Sequence, residues 1–408
     1  MTVSSSPPAP QNESLAGADV ALARSADGER AMASVTAASA AEAAAACAGL
    51  DAGPWAVALV FAASPALLAD TGEALQAAVA GGVAVAGCTS AGIVNRRTWV
   101  EAPVQVTLLG GPGITAAVSV GQLDLADSRT AGQAAARAVQ ALDPAPVHSA
   151  LVLLADGLTG DTNHIVRGAY EVAGAMVPIV GGCAGDNLEM AATWQLAGDQ
   201  LLTRSVVGVA LGSTAPLGVG VRHGWSPIGS PMTVTAADGN SILTLDDRPA
   251  LDAYLDALGV SEASVGPDLA RFSQTRPLGL ESRGGHQVRF IRGTDPERRS
   301  MEFLVAIGEG ELVTLMQGGS DTVVAAAGSA VDDALAQLTG DPLGVVAFDC
   351  VACRGVIGDG ALACETATVA AQLPAGATLS GLYTYGEIAR RGGSLGFHNQ
   401  TMVVLAVQ

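Results

Sequence analysis

Two stretches of this chain carry the same order of signals, and few folds accommodate that order. The first runs from Trp55 to Gly92, "WAVALVFAASPALLADTGEALQAAVAGGVAVAGCTSAG", and the second from His148 to Asp186, "HSALVLLADGLTGDTNHIVRGAYEVAGAMVPIVGGCAGD". Each reads as an apolar run, a polar turn, a longer helical segment, a short apolar run, and a turn of glycine, cysteine and alanine. Short apolar runs bounded by turn signals suit buried strands. A helix between two such strands gives a parallel pair with the helix on the sheet face. A helix is expected before each unit, near 38–49 and 129–141. Paired strands are expected after each, near 98–109 with 113–120 and 192–196 with 200–211. Residues 31–215 therefore predict two similar α/β halves, an internal duplication. The last segment repeats the theme loosely: "DTVVAAAGSAVDDALAQL" and "DGALACETATVAAQL" read as helices, "GVVAFDC" and "ATLSGLYTYGE" as strands. Between these regions a hairpin turns at Asp238-Gly239-Asn240, a helix starts near Pro249, and "HQVRFIRG" and "MEFLVAIGEGELVTLM" read as strands. The fold class is α/β, with mixed sheets flanked by helices.

Bulk properties narrow the function. The chain has 408 residues, enough for two or three cores. Its 20 basic residues are all arginine, against 39 acidic ones, for a net charge of −19. Without lysine there is no Schiff-base amine and no GxxxxGK[ST] phosphate loop. The acidity argues against nucleic acid or an anionic membrane surface as partner. No apolar run approaches the ~20 residues that span a bilayer. The start, "MTVSSSPPAPQNESLAGADV", has neither the basic end nor the apolar core of a secretory signal, and residues 1–30 are expected to be disordered. Six cysteines without such a signal suit reduced thiols and a cytoplasmic location.

Six motifs occur in order: "GCTSAG" (87–92), "GGCAGD" (181–186), "HGWSPIG" (223–229), "VTAADGNSILTLDDRPALDAYLDALG" (234–259), "FDCVACR" (348–354) and "GLYTYGEI…FHNQT" (381–401). Together they resemble the FIST family, a sensory module of signal transduction with an N-terminal and a C-terminal part. The resemblance implies a FIST N-like domain over 31–225 and a FIST C-like domain over 226–408. It implies a sensor of a small ligand, such as an amino acid or a similar polar metabolite, rather than an enzyme. Some bacterial members look like haem-binding nitric oxide sensors that partner histidine kinases, so haem b is the alternative to no cofactor. Output through a separate signalling protein or through a homodimer is expected. "CVACR" departs from many relatives by placing a second cysteine, Cys353, where they have another small residue. The motif positions give the candidate ligand-binding set: Cys88, Thr89, Cys183, Asp186, Asn187, Cys350, Arg354, Tyr383, Tyr385, Glu387, His398 and Asn399.

Each candidate has a plainer reading. Glycine at strand ends lets a ligand touch backbone or simply permits tight packing, and the thiols of Cys88 and Cys183 read more readily as small core groups. Asp186 and Asn187 either line a pocket or cap a turn. Cys350 and Cys353 have CxxC spacing, but zinc needs two more ligands and neither a second CxxC nor HxxxH exists, so structural thiols are expected. Arg354 either recognises a carboxylate or pairs with Glu387. Tyr383, Tyr385 and Glu387 alternate, which puts them on one strand face. His398 and Asn399 join them if the final strand pairs with 378–385. Such a rim suits a zwitterion, or a hydrogen-bond network that ties down the final strand. His223, beside Trp225, is either a packed imidazole or the haem ligand. A third reading is an enzyme that uses Cys350 as nucleophile, which requires an oriented base and an oxyanion site.

Overall fold

The computed structural model describes residues 11–15, 17–79, 82–95, 99–100, 103–124, 127–265, 269–282, 285–390 and 396–408. One strand order occurs three times. In the first unit the order is Ala31–Ala37, Val104–Gly110, Trp55–Ala62, Ala84–Thr89. In the second it is Ile114–Gln122, Ser205–Ser213, His148–Ala155, Ile179–Cys183. In the third it is Leu217–Arg222, Met402–Val407, Gly344–Cys350, Thr378–Thr384. In each unit the last two strands are parallel and the other pairs antiparallel. The helices Pro65–Ala78 and Thr162–Ala173 make the first two parallel crossovers, and Val351–Ile357 with Asp359–Ala371 make the third.

Local sequence explains these elements. Ser64 caps the first crossover helix by accepting from the Leu67 N–H, with Pro65 at its first position, and Asp161 caps the second by accepting from the His164 N–H. The strands are apolar on both faces because both are covered. One set of faces meets in a shared core that draws Phe61, Leu154, Val209, Phe348 and Val403 from all three units. Gly87, Gly181 and Gly381 occupy the same place in the three parallel pairs, opposite Val60, Leu153 and Ala347. A Cβ there would lie 2.1, 2.0 and 2.3 Å from the partner's carbonyl oxygen, so only glycine fits.

The units also exchange strands. After its second parallel strand each sends a short strand to a neighbour. Ile93–Asn95 pairs with Thr378–Thr384, Gln195–Ala197 with Ala84–Thr89, and Glu387–Arg390 with Ile179–Cys183. The exchange closes a ring of three, and it brings the carboxyl ends of the parallel strands together. The Gly185 N–H donates to the Thr89 carbonyl, and the Ala91 N–H to that of Tyr383. Residues 226–317 interrupt the third unit. Their strands, Ser226–Asp238 through Leu312–Gln317, form a separate antiparallel sheet with its own core and the helix Ala250–Leu258. This region contains the expected 238–240 hairpin and the expected helix start beside Pro249.

Several expectations change. Residues 18–24, read as part of a disordered start, form a strand paired with Ala31–Ala37, because alternate residues such as Ala18 and Val20 bury against the first sheet; residues 1–10 lie outside the described set. The strands near 98–109 and 113–120 do not pair with each other. Val104–Gly110 and Ile114–Gln122 belong to different sheets, and only a turn with Gly111 and Gly113 at positive φ separates them. Gln195–Ala197 does pair with Gln200–Leu202, while Ser205–Ser213 leaves for the second sheet. The final strand, Met402–Val407, pairs with Gly344–Cys350 and not with 378–385. Among the described residues no helix is long and apolar enough to cross a membrane.

Candidate functional site

In open α/β sheets, ligands bind where strand carboxyl ends splay apart. A cleft of about 590 Å³ lies there. Gly157, Asn187, Leu188 and Met190 line it from the second unit, and Gln274, Phe290 and Leu304 from the inserted sheet region. Cys350, Val351, Ala352, Arg354 and Tyr385 line it from the third unit. The walls are mainly apolar, with Arg354, Asn187 and Gln274 supplying polar groups.

Asp186 and Tyr385 build one wall. The Tyr385 hydroxyl donates to Asp186 Oδ1 and accepts the Leu188 N–H at 2.7 Å. Asp186 also accepts from the N–H groups of Met190 (3.0 Å), Ala191 (2.7 Å) and Ala192 (3.0 Å). Burial pushes its carboxyl up, but the tyrosine hydroxyl and these three N–H groups outweigh that and hold it below its ordinary value. Asp186 is thus the clasp of the 187–192 loop, in which Asn187, Leu188 and Met190 take positive φ and Leu188 and Met190 stay exposed beside the cleft. Asn187 lines the cleft directly.

The tail divides between two layers. Tyr383, Tyr385 and Glu387 do not share a strand face. Gly386, at φ 154°, carries the chain out of one sheet after Thr384 and into another at Glu387. Tyr385 reaches the cleft, while Tyr383 is 1% exposed and points its hydroxyl at Glu365 Oε2, 3.4 Å away. "YTYGE" and "FHNQT" do lie side by side, with Glu387 directly paired with His398 in antiparallel strands; the glycine-rich loop between them, 391–395, lies outside the described residues. Glu387 is fully buried, accepts from Thr384 Oγ1 (2.7 Å) and the Thr401 N–H (3.3 Å), and has no place among the cleft-lining residues. The ring Nε2 of His398 meets the Ala389 carbonyl at 3.1 Å, and Asn399 Oδ1 accepts the Phe290 N–H at 3.4 Å. His398 and Asn399 thus fasten strands beneath the cleft, and the expected rim of converging polar groups reduces to Arg354 and Tyr385.

The remaining candidates are interior. Cys88 and Cys183 are buried, and burial pushes both thiols up, that of Cys183 to about 12. Thr89 accepts the Trp194 N–H, which fixes the exchanged strand. His223 uses both ring nitrogens internally: Nε2 faces the His286 carbonyl at 2.9 Å and Nδ1 accepts the Trp225 N–H at 3.3 Å. Burial depresses its protonation, and both ring nitrogens are engaged within the fold.

Sequence reasoning missed what underlies the cleft. Asp349 (1% exposed), Glu365 (2%) and Glu387 (0%) surround Cys350 and Cys353, and no ion pair found among the described residues involves these acids. Drawn as carboxylates, both oxygens of Asp349 and Oε1 of Glu365 lack a donor. A proton shared between the two acids would partner one oxygen of each. Burial, then the charge of Glu365, raises Asp349, and burial raises Glu365 to about 7. The available signal was an isolated acid inside each apolar run, "VVAFDC" and "ALACETATV".

Comparison with known proteins agrees with this architecture. Residues 56–248 match the FIST N domain and residues 250–390 the FIST C domain. An uncharacterized protein of Mycobacterium tuberculosis is 29% identical over 238 residues, 55% of this chain and 59% of the relative. Another, from Mycobacterium bovis, is 27% identical over 234 residues, 55% of this chain and 58% of the relative. The matched region spans under two thirds of each relative's length. The two domain matches cover most of the chain, which belongs to the FIST family of sensory signal-transduction domains.

Proposed function

We propose that the chain senses a small anionic metabolite bound in the cleft at the strand carboxyl ends. The observation that carries this reading is Arg354 lining a mainly apolar cleft of about 590 Å³ in a chain of net charge −19. That volume is ordinary for a small-molecule site. The arginine fork matches a carboxylate in a bidentate pair. Leu188, Met190, Phe290 and Leu304 accommodate an apolar body. Among the described residues that line the cleft there is no Asp or Glu, so the carboxylate is the charged group that the cleft recognises. The cleft joins the second unit, the inserted sheet and the third unit, and a ligand held by all three would alter their mutual packing; a separate signalling protein would read that change.

A thermal-shift screen against small carboxylates tests the proposal, followed by calorimetry on hits. Arg354→Gln should weaken binding about tenfold or more, since a charge-assisted hydrogen bond contributes ~1.5–3 kcal/mol. Equal affinity in wild type and Arg354→Gln would refute the site.

A further inference from the structure

We propose that Cys350 and Cys353 form a redox-active dithiol at the floor of the cleft, oxidised by thiol–disulfide exchange with a small disulfide that carries a carboxylate. The proposal names a ligand class for the cleft and rests on the reading of the cleft as a ligand site. Cys350 ends the strand Gly344–Cys350 and is among the cleft-lining residues. Cys353 sits three residues on, in the helix Val351–Ile357, and is absent from the lining; it is 1% exposed and Cys350 2%. The two thiols stand at CxxC spacing across the junction of strand and helix, and each acts on the other's protonation. Two thiols serving only as packing would want apolar neighbours. These have three buried carboxyls, none of them in an ion pair found among the described residues, and such burial is unfavourable unless protons are kept there.

Protonated, the acids have work here. Glu387 and the backbone N–H groups of Gln400 and Ala352 favour the thiolate of Cys350. Burial pushes the Cys350 thiol up, but Cys353, these N–H groups and Glu387 outweigh it and bring it to about 7. Cys353 is pushed well up, first by Cys350 and then by burial. The pair thus divides into an attacking thiolate on the cleft and a resolving thiol outside its lining.

The exchange balances. The Cys350 proton leaves to solvent. Its thiolate attacks one sulfur of R–S–S–R, the disulfide breaks, and R–S⁻ departs and is protonated by solvent. Cys353 passes its proton by way of the ionised member of the Asp349–Glu365 pair to solvent, attacks the Cys350 sulfur of the mixed disulfide, and expels a second R–S⁻, which takes a solvent proton. Two electrons pass from the dithiol to the substrate, leaving one protein disulfide and two R–SH. Arg354, next in sequence to Cys353, lines the same cleft and would hold the substrate's carboxylate.

Reduced protein would be exposed to cystine, or to cystamine, which lacks the carboxylates. It would then be alkylated and peptide-mapped. With cystine, Cys350 and Cys353 should lose alkylation together while Cys47, Cys88 and Cys183 keep it after unfolding; exposed Cys364 should react with either reagent. Cystine should oxidise the pair about tenfold faster than cystamine, and Arg354→Gln should erase that ratio. Cys353→Ser should stop at a mixed disulfide on Cys350. If native protein treated with cystine is modified at Cys364 alone, the dithiol is overturned whatever the variants do. If the pair oxidises equally fast with both reagents, the dithiol stands and the carboxylate-binding reading of the cleft falls.

Discussion

The acids beneath the cleft make stability depend on pH in an unusual direction. Most carboxylates in folded proteins are stabilised as anions, and acid destabilises them. Here the folded chain keeps protons that the unfolded chain releases. Glu365 ionises near 4.5 in the unfolded chain and at about 7 in the folded one. Below 4.5 both states hold the proton and its contribution is complete. Between 4.5 and 7 the unfolded state loses the proton first, and the contribution drains away. A displacement from 4.5 to about 7 corresponds to about 3 kcal/mol. Asp349 and Glu387, also raised by burial, act in the same direction. Neutral His223, whose protonation burial depresses, acts oppositely, so a single pH profile would mix the effects. Glu365→Gln isolates the acid. Urea unfolding of wild type and variant, from pH 4.5 to 8 at constant ionic strength, should show the variant gaining about 3 kcal/mol on wild type across that window. It should be no less stable than wild type at pH 8. Parallel profiles for the two proteins would refute the buried, proton-sharing pair.

Two further outcomes test the packing. Gly381→Ala should cost about 3 kcal/mol or more in chemical denaturation, because the new Cβ meets the Ala347 carbonyl at 2.3 Å in a central strand pair; a change below 1 kcal/mol would show that the ladder yields. Arg289 is buried, hydrogen-bonds the carbonyls of Val288 and Phe397 and Gln287 Oε1, and leaves Nε without a partner. Arg289→Met should therefore leave stability within about 1 kcal/mol of wild type or raise it, as measured by urea midpoint.

The α/β class and most element positions were legible in the sequence, because buried strands and capped helices write local signals. The apolar runs at 55–62, 148–155 and 344–350 became the central strands of three units. Strand pairing was not legible where it depended on partners far along the chain. Nothing near residue 93 says that Ile93–Asn95 pairs with Thr378–Thr384. Period-2 logic failed at Tyr383, Tyr385 and Glu387 because it assumes an unbroken strand, and Gly386 breaks it. Arg354, Tyr385 and Asn187 were found on the cleft because polar residues after buried strands tend to lie at strand ends. Gln274, Phe290 and Leu304 were not, since an inserted sheet supplies them and no local pattern announces it.

The closed exchange of short strands changes what counts as a part of this protein. The boundary between the two matched domains, near residues 248–250, falls within the inserted sheet, while the exchange crosses it twice: Ile93–Asn95 reaches into the later region and Glu387–Arg390 returns to the earlier one. Cutting the chain there would strip Thr378–Thr384 and Ile179–Cys183 of a neighbour and leave raw, apolar sheet edges on both pieces, the kind that recruit other chains. Neither piece could be moved to a new protein as a finished cassette. Supplied together, the two halves would carry complementary edges, each a template for the other's missing strand.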